Sequence, residues 1–256
     1  MKQFLMILII GGIYSSTVFG QGFDWQGSAR LPFETPRSYL GFNLQYGFQF
    51  ASGEISFLEN QIQCPNFNDG NGKKFSIGLN FESWEKFNRF AYRTSLQYNT
   101  NYLSSSLREF VPYSSNLIAE FENKLTLNFS KIDFKIGGKY RIANSHLNFG
   151  ADLMLSFVLN NSFEATEEIL GPPEIPPFLT NPPSHKREIL NGKINSFNTV
   201  IFSPTFTVGY DFQLGFGTYF EPHFTVAFPT NSMLTGDNLK NLSTSFGINF
   251  YRKFFK

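Results

Sequence analysis

The chain carries a single cysteine, Cys64, in 256 residues, so no intrachain disulfide can staple its fold. Charge is scarce as well. Asp, Glu, Lys and Arg make up 16% of the residues, against about 25% in an ordinary soluble protein. The 21 basic and 20 acidic side chains nearly cancel and lie scattered, which argues against the basic stripe of a nucleic-acid binder. Beyond the first 20 residues no run reaches 18 consecutive apolar residues, so helical membrane spans are excluded. Against these shortages stand 33 Phe and an aromatic content of 18%. A water-facing surface of this size would carry more charge, so the question becomes where the Phe side chains point.

Residues 1–20 have the layout of an export signal. Lys2 supplies the positive start, residues 4–13 an unbroken apolar core, and Val18-Phe19-Gly20 the cleavage pattern. The apolar core is too short for a spanning helix of about 20 residues. Cleavage would leave Gln21 at the mature N-terminus, followed by a periplasmic N-terminal segment over 21–37. A lipoprotein would need cysteine where Gln21 stands, and Cys64 is assigned no role.

The rest of the chain alternates with period two. Leu40, Phe42, Leu44, Tyr46, Phe48 and Phe50 interleave with Gly41, Asn43, Gln45, Gly47 and Gln49, which as a strand gives one apolar and one polar face. Phe75–Phe81, Phe90–Tyr98, Leu147–Leu159, Val200–Tyr210, Phe216–Phe228 and Leu242–Phe250 repeat the pattern. Leu117–Ile142 is longer and changes phase. Its apolar set is odd through Phe129 and even from Ile132, which a bulge near Ser130 would produce within one strand; two strands joined by a tight turn there are the alternative. One strand gives eight in all, with short connectors (82–88, 143–145, 211–215) alternating with long loops (51–73, 100–116, 160–196, 229–240). An even number of strands, with short turns at one end and long loops at the other, is the layout of an outer-membrane barrel. The expected fold is therefore all-β, an eight-stranded antiparallel up-and-down transmembrane β-barrel over 38–256, with ten strands as the alternative count.

Alternation alone does not separate this from a soluble barrel with its apolar face inside. Three features favour lipid outside. The polar face is rich in Gly, Asn, Gln and Ser where a solvated face would carry Lys and Glu, several strands exceed ten residues, and aromatics gather near strand ends. Pro204 and Pro222 count against it, since each removes a ladder donor.

The segments Phe23-Asp24-Trp25-Gln26, Leu31-Pro32-Phe33-Glu34, Phe57-Leu58-Glu59-Asn60 and Gly138-Lys139-Tyr140-Arg141, with the acidic proline-rich loop 160–196, resemble a family of porin-like outer-membrane β-barrel domain proteins of diderm bacteria. These proteins are similar to the OmpA transmembrane domain, here without the peptidoglycan-binding domain that some relatives add. Ser245–Phe250 resembles the aromatic-ended final strand read by the outer-membrane assembly machinery. The resemblance implies outer-membrane lipid and that machinery as partners.

Placing the polar face inside makes Glu82, Arg93, Glu120, Lys124, Asp133, Lys135, Asp152, Glu221 and His223 candidate lumen-lining residues, with Arg89, Glu122, Lys131, Lys139 and Arg141. They form either a mutually paired filling, as eight strands leave little room, or the lining of a narrow pore. No enzyme is expected: His146, His185 and His223 accompany no G-x-S-x-G elbow. Residues 68–72 fail as a calcium loop, since aligning the glycines puts Phe67 and Gly78 at ligand positions, and are expected to be a loop tip. No metal, nucleotide or other cofactor motif is present. The expected function is an integral outer-membrane protein with a structural or surface-interaction role and a filled polar lumen. A small porin passing ions or small solutes is the alternative, and a soluble exported barrel binding an apolar ligand the second. Small solutes or a surface ligand are the remaining candidate partners.

Overall fold

The computed structural model describes residues 37–55, 67–85, 89–114, 117–142, 145–180, 182–215, 217–236 and 238–254. The expected signal, nearly all of the N-terminal segment, Phe57–Asn60 and Cys64 lie outside these residues. Ten strands follow one another, with no helix among the described residues: β1 (Ser38–Ile55), β2 (Phe67–Trp84), β3 (Phe90–Ser114), β4 (Leu117–Arg141), β5 (Leu147–Gly171), β6 (Lys186–Gly192), β7 (Val200–Tyr210), β8 (Phe212–Gly215), β9 (Thr218–Ala227) and β10 (Lys240–Lys253). All pairings are antiparallel. β1 pairs with both β2 and β10, which closes a ring of eight in the order β1-β2-β3-β4-β5-β7-β9-β10. β6 adds only to the far end of β5. β8 continues the stave of β7 against β9, so 211–215, expected as a turn, extends a strand.

The register fixes the size of the barrel. Following partners around the ring from Tyr39 passes through Glu82, Arg93, Gly137, Asp152, Thr205, Ala227 and Ser243, and returns to β1 at Gln49. The shear from Tyr39 to Gln49 is ten residues. With about 3.3 Å per residue and about 4.8 Å between strands, it gives a strand tilt of about 40° and a backbone radius of about 8 Å. Side chains fill an interior of that width.

The apolar rows face outward. Leu40, Phe42, Leu44, Tyr46, Phe48 and Phe50 are all 41–47% exposed, while Asn43, Gln45 and Gln49 between them are buried. This is the reverse of a soluble barrel, and it overturns the reading in which the Phe rows line an apolar ligand cavity. On β4 the outward apolar residues run from Ile132 to Ile142. Ten residues rise about 34 Å along the strand, or about 26 Å at the tilt above, close to the apolar band of about 25 Å on membrane barrels.

Above that belt the pattern inverts. On β2 the outward row passes from Phe75 to Lys73, Asn71 and Asp69. On β3 it passes to Ser104, Ser106 and Arg108, and on β4 to Ser130, Asn128, Thr126 and Lys124. The inward row turns apolar at the same level, at Leu103 on β3 and at Phe129, Leu127 and Leu125 on β4, all buried. The phase change in Leu117–Ile142 is therefore not a bulge in that strand. Odd residues of β4 face inward throughout, and its ladder with β3 is continuous past Ser130. What changes is the surroundings, hydrocarbon outside the belt and water above it. The extra residue near this level sits in β5, where Leu159 falls between the pairs Lys131↔Val158 and Ser130↔Asn160.

Strands consequently run on into segments expected as loops. Residues 67–72 belong to the β1–β2 ladder, not to a loop tip. Residues 100–114 continue β3, and 160–171 continue β5 with β6 beside it. The expectation failed there because water outside the wall removes the apolar half of the alternation. Pro204 and Pro222 both sit in ring strands.

Candidate functional site

The interior is layered. At the end with the short turns, Lys139 is fully buried and its Nζ donates to Glu82 Oε1 at 3.3 Å, Asp211 Oδ1 at 3.1 Å and Glu221 Oε2 at 2.9 Å. Arg141 Nε donates to Asp211 at 3.1 Å, and the Tyr219 hydroxyl to Glu82 at 2.5 Å. Three aromatic rings surround the same ammonium, Trp84 at 5.3 Å, Tyr219 at 5.4 Å and Tyr251 at 5.6 Å. Such a cation is held both by charge and by ring faces. Tyr39 meets the edge of Tyr219, which stacks on Tyr251. Together these groups close that end.

The next layer joins Arg93 to Asp152 through Nη2 at 2.5 Å and Nε at 3.2 Å. Around this pair Gln97 donates to Asn43, Asn80 to Asn249, and Gln45 and His223 share a hydrogen bond of 3.0 Å. Large polar groups fit here because nearby strands of the ring present glycine to them. A Cβ at Gly150 would lie 2.6 Å from an Arg93 guanidinium nitrogen, and one at Gly209 2.4 Å from Glu221 Oε1. These contacts explain the many glycines on the polar face. The layer above holds Lys131, 3.2 Å from Asp133 and donating to Ser156 at 3.0 Å, with Lys74 and Lys135 buried nearby. Cavities of about 10 and 20 Å³ remain in these layers, room for about one water each.

An apolar plug closes the other end. Ala51, Phe67, Leu103, Leu125, Leu127 and Phe129 from the wall pack against Ile194 and Phe197, from the segment before β7, and Met233, Leu234 and Leu239, from the segment before β10. The loops 160–196 and 229–240 thus contribute side chains to the barrel mouth.

Of the nine candidates, Glu82, Arg93, Asp133, Lys135, Asp152, Glu221 and His223 point inward and are buried. Glu120 and Lys124 do not line the lumen. Both lie above the belt on the outward row of β4, with Glu122, and Glu120 pairs there with Arg108 at 3.1 Å. Their polarity marks the face that meets water. Arg89 is exposed at a turn, whereas Lys131, Lys139 and Arg141 are interior. Sequence reasoning missed Asp211, hidden in an expected turn, and the inward aromatics Tyr39, Trp84, Tyr219 and Tyr251. Their signal was position, since each occupies the phase of the polar row. No three His, Cys, Asp or Glu side chains among the described residues converge to hold a metal ion.

No protein-family model and no curated protein matches the chain. Solved structures resemble it weakly. Ail, the attachment invasion locus protein of Yersinia pestis, in complex with the heparin analogue sucrose octasulfate, is 10% identical with a TM-score of 0.32, covering 84% of this chain and 99% of that one. Neisserial surface protein A gives 10% and 0.32, over 85% and 97%. The outer membrane protease OmpT from Escherichia coli gives 10% and 0.31, over 92% and 100%. At these values what the barrel does has to come from its own geometry.

Proposed function

We propose that the chain is an integral outer-membrane barrel that does not conduct and acts through what it presents above the membrane. The closed interior carries this reading. At a radius of about 8 Å, the Lys139 node seals one end and the plug around Leu127, Phe197 and Leu234 the other. The outward apolar belt supports a bilayer setting. The inverted staves beyond it, extended by β6, support a water-exposed platform. Its hairpin tip shows Phe110 at 68%, Tyr113 at 54% and Ile118 at 60% exposure, and exposed apolar patches of this kind mark interaction sites.

Planar-bilayer conductance of refolded 21–256 tests the reading, with insertion checked by a heat-dependent gel shift. An inserted, electrically silent protein is expected. Steady unitary steps that shrink when Arg93 or Glu221 is neutralised would establish the small porin instead.

A further inference from the structure

One seam of the wall is short. β7 and β9 pair only from Thr205↔Ala227 to Gly209↔His223, and the ladder resumes at Phe212↔Phe220. The lapse falls opposite Pro222, which has no N–H to give. Over it, on the outer surface, lies a groove of about 640 Å³. It runs between two adjacent rows of outward side chains, the lower through Tyr210, Pro222 and Ile248, the upper through Val208, Phe224 and Phe246. Pro222 is the small member of the lower row and forms a notch. The floor is backbone, with Gly209 and Gly247 flanking His223 from either side.

The groove begins at Leu147, beside a short turn, and ends at Phe75 on β2. That path crosses β5, β7, β9, β10, β1 and β2 along the hydrogen-bonding direction. Five interstrand steps make about 24 Å. At the slope set by the tilt this climbs about 15 Å, half of a hydrocarbon core of about 30 Å. The groove therefore has the length and rise of one lipid chain in one leaflet, and its walls are almost wholly apolar.

We propose that this groove seats one acyl chain of a phospholipid in the leaflet on the short-turn side. The proposal rests on the membrane reading above and commits to lipid because the groove lies inside the belt. The test uses protein refolded into vesicles of a single phosphatidylethanolamine, extracted into mild detergent and weighed by native mass spectrometry. One retained lipid per chain is expected. Pro222→Phe and Val208→Phe each fill the groove and should lower the retained fraction at least tenfold. Ala151→Phe, outward on β5 and outside the groove, should leave it unchanged. Equal retention in the parent and the filled variants overturns the proposal, as does an inserted parent with no retained lipid or several lost at one common rate. The gel shift on the same samples reports insertion separately, so a chain that stays in the aqueous phase refutes the membrane reading itself. If Pro222→Phe does not fold, Val208→Phe carries the comparison.

Discussion

The inversion of the wall makes an unusual demand on one strand. Ile136 and Thr126 both face outward on β4, ten residues apart. Ile136, 51% exposed, lies in the belt, and Thr126 lies above it. Their separation is about 34 Å along the strand and about 26 Å in height at the tilt given by the register. Ile136→Arg places a guanidinium in hydrocarbon and is expected to cost about 2–4 kcal/mol, roughly a 30- to 1,000-fold loss in folding equilibrium. Thr126→Arg meets water and should stay within about 0.5 kcal/mol. The inward residue beside it tells the complementary story. Leu127, 1% exposed in the plug, becomes as Leu127→Arg a buried charge without a partner, expected to lose at least about 3 kcal/mol. Urea unfolding in large unilamellar vesicles, followed by tryptophan fluorescence, measures all three. Similar costs for Ile136→Arg and Thr126→Arg, or a tolerated Leu127→Arg, would refute the claim that the surroundings change at Ser130 while the strand's facing does not.

Other outcomes follow from the interior. Lys139→Met leaves Glu82, Asp211 and Glu221 crowded with only Arg141 and should cost about 3–5 kcal/mol; in a Glu221→Gln background the same change should cost less, which a double-mutant cycle in the same assay reads. Gly150→Ala should destabilise by about 1–3 kcal/mol through overpacking against Arg93, with part of the loss recovered in Arg93→Lys, again read by urea midpoint. Leu234→Ala should cost about 2–5 kcal/mol yet open no steady conductance in a planar bilayer, because the Lys139 node still blocks the other end. Deleting Leu159 removes the bulge and brings Val158 and Asn160 into direct succession opposite Lys131 and Ser130, so Phe163 and Ala165 keep their inward facing; the chain should still insert, and limited proteolysis should cut 160–196 no faster than in the parent.

The belt was legible in the residues themselves. Leu40–Phe50 against Asn43, Gln45 and Gln49 is a two-faced strand on any reading, and the scarcity of Lys and Glu on the polar face correctly put that face inside. What alternation could not convey is which solvent meets a given stretch. Leu125, Leu127 and Phe129 look like lipid-facing residues by type, and Glu120 and Lys124 like lumen residues, yet their positions are exchanged because water replaces hydrocarbon above Ser130. The same blindness hid β3 beyond Thr100, where serines outside give no apolar rhythm. Tyr39, Tyr219 and Tyr251 could not be told from a girdle by composition, since an aromatic ring suits both an interface and a cation. Asp211 entered the site only through register, which places it opposite Glu221.

The reversal of the wall also traps the molecule along the membrane normal. Sinking by two residues would drag Lys73, Ser104 and Ser130 into hydrocarbon, and rising by two would lift Phe50, Phe75 and Ile132 out of it. Either displacement is uphill, so the hairpin tip is carried at a set elevation. Eleven residues of β3 separate Tyr102 from Tyr113, about 37 Å along the strand and about 28 Å upward if the tilt persists. A partner meeting Phe110 and Ile118 would do so at that standoff from the bilayer, clear of short neighbouring surface groups but within the depth of tall ones.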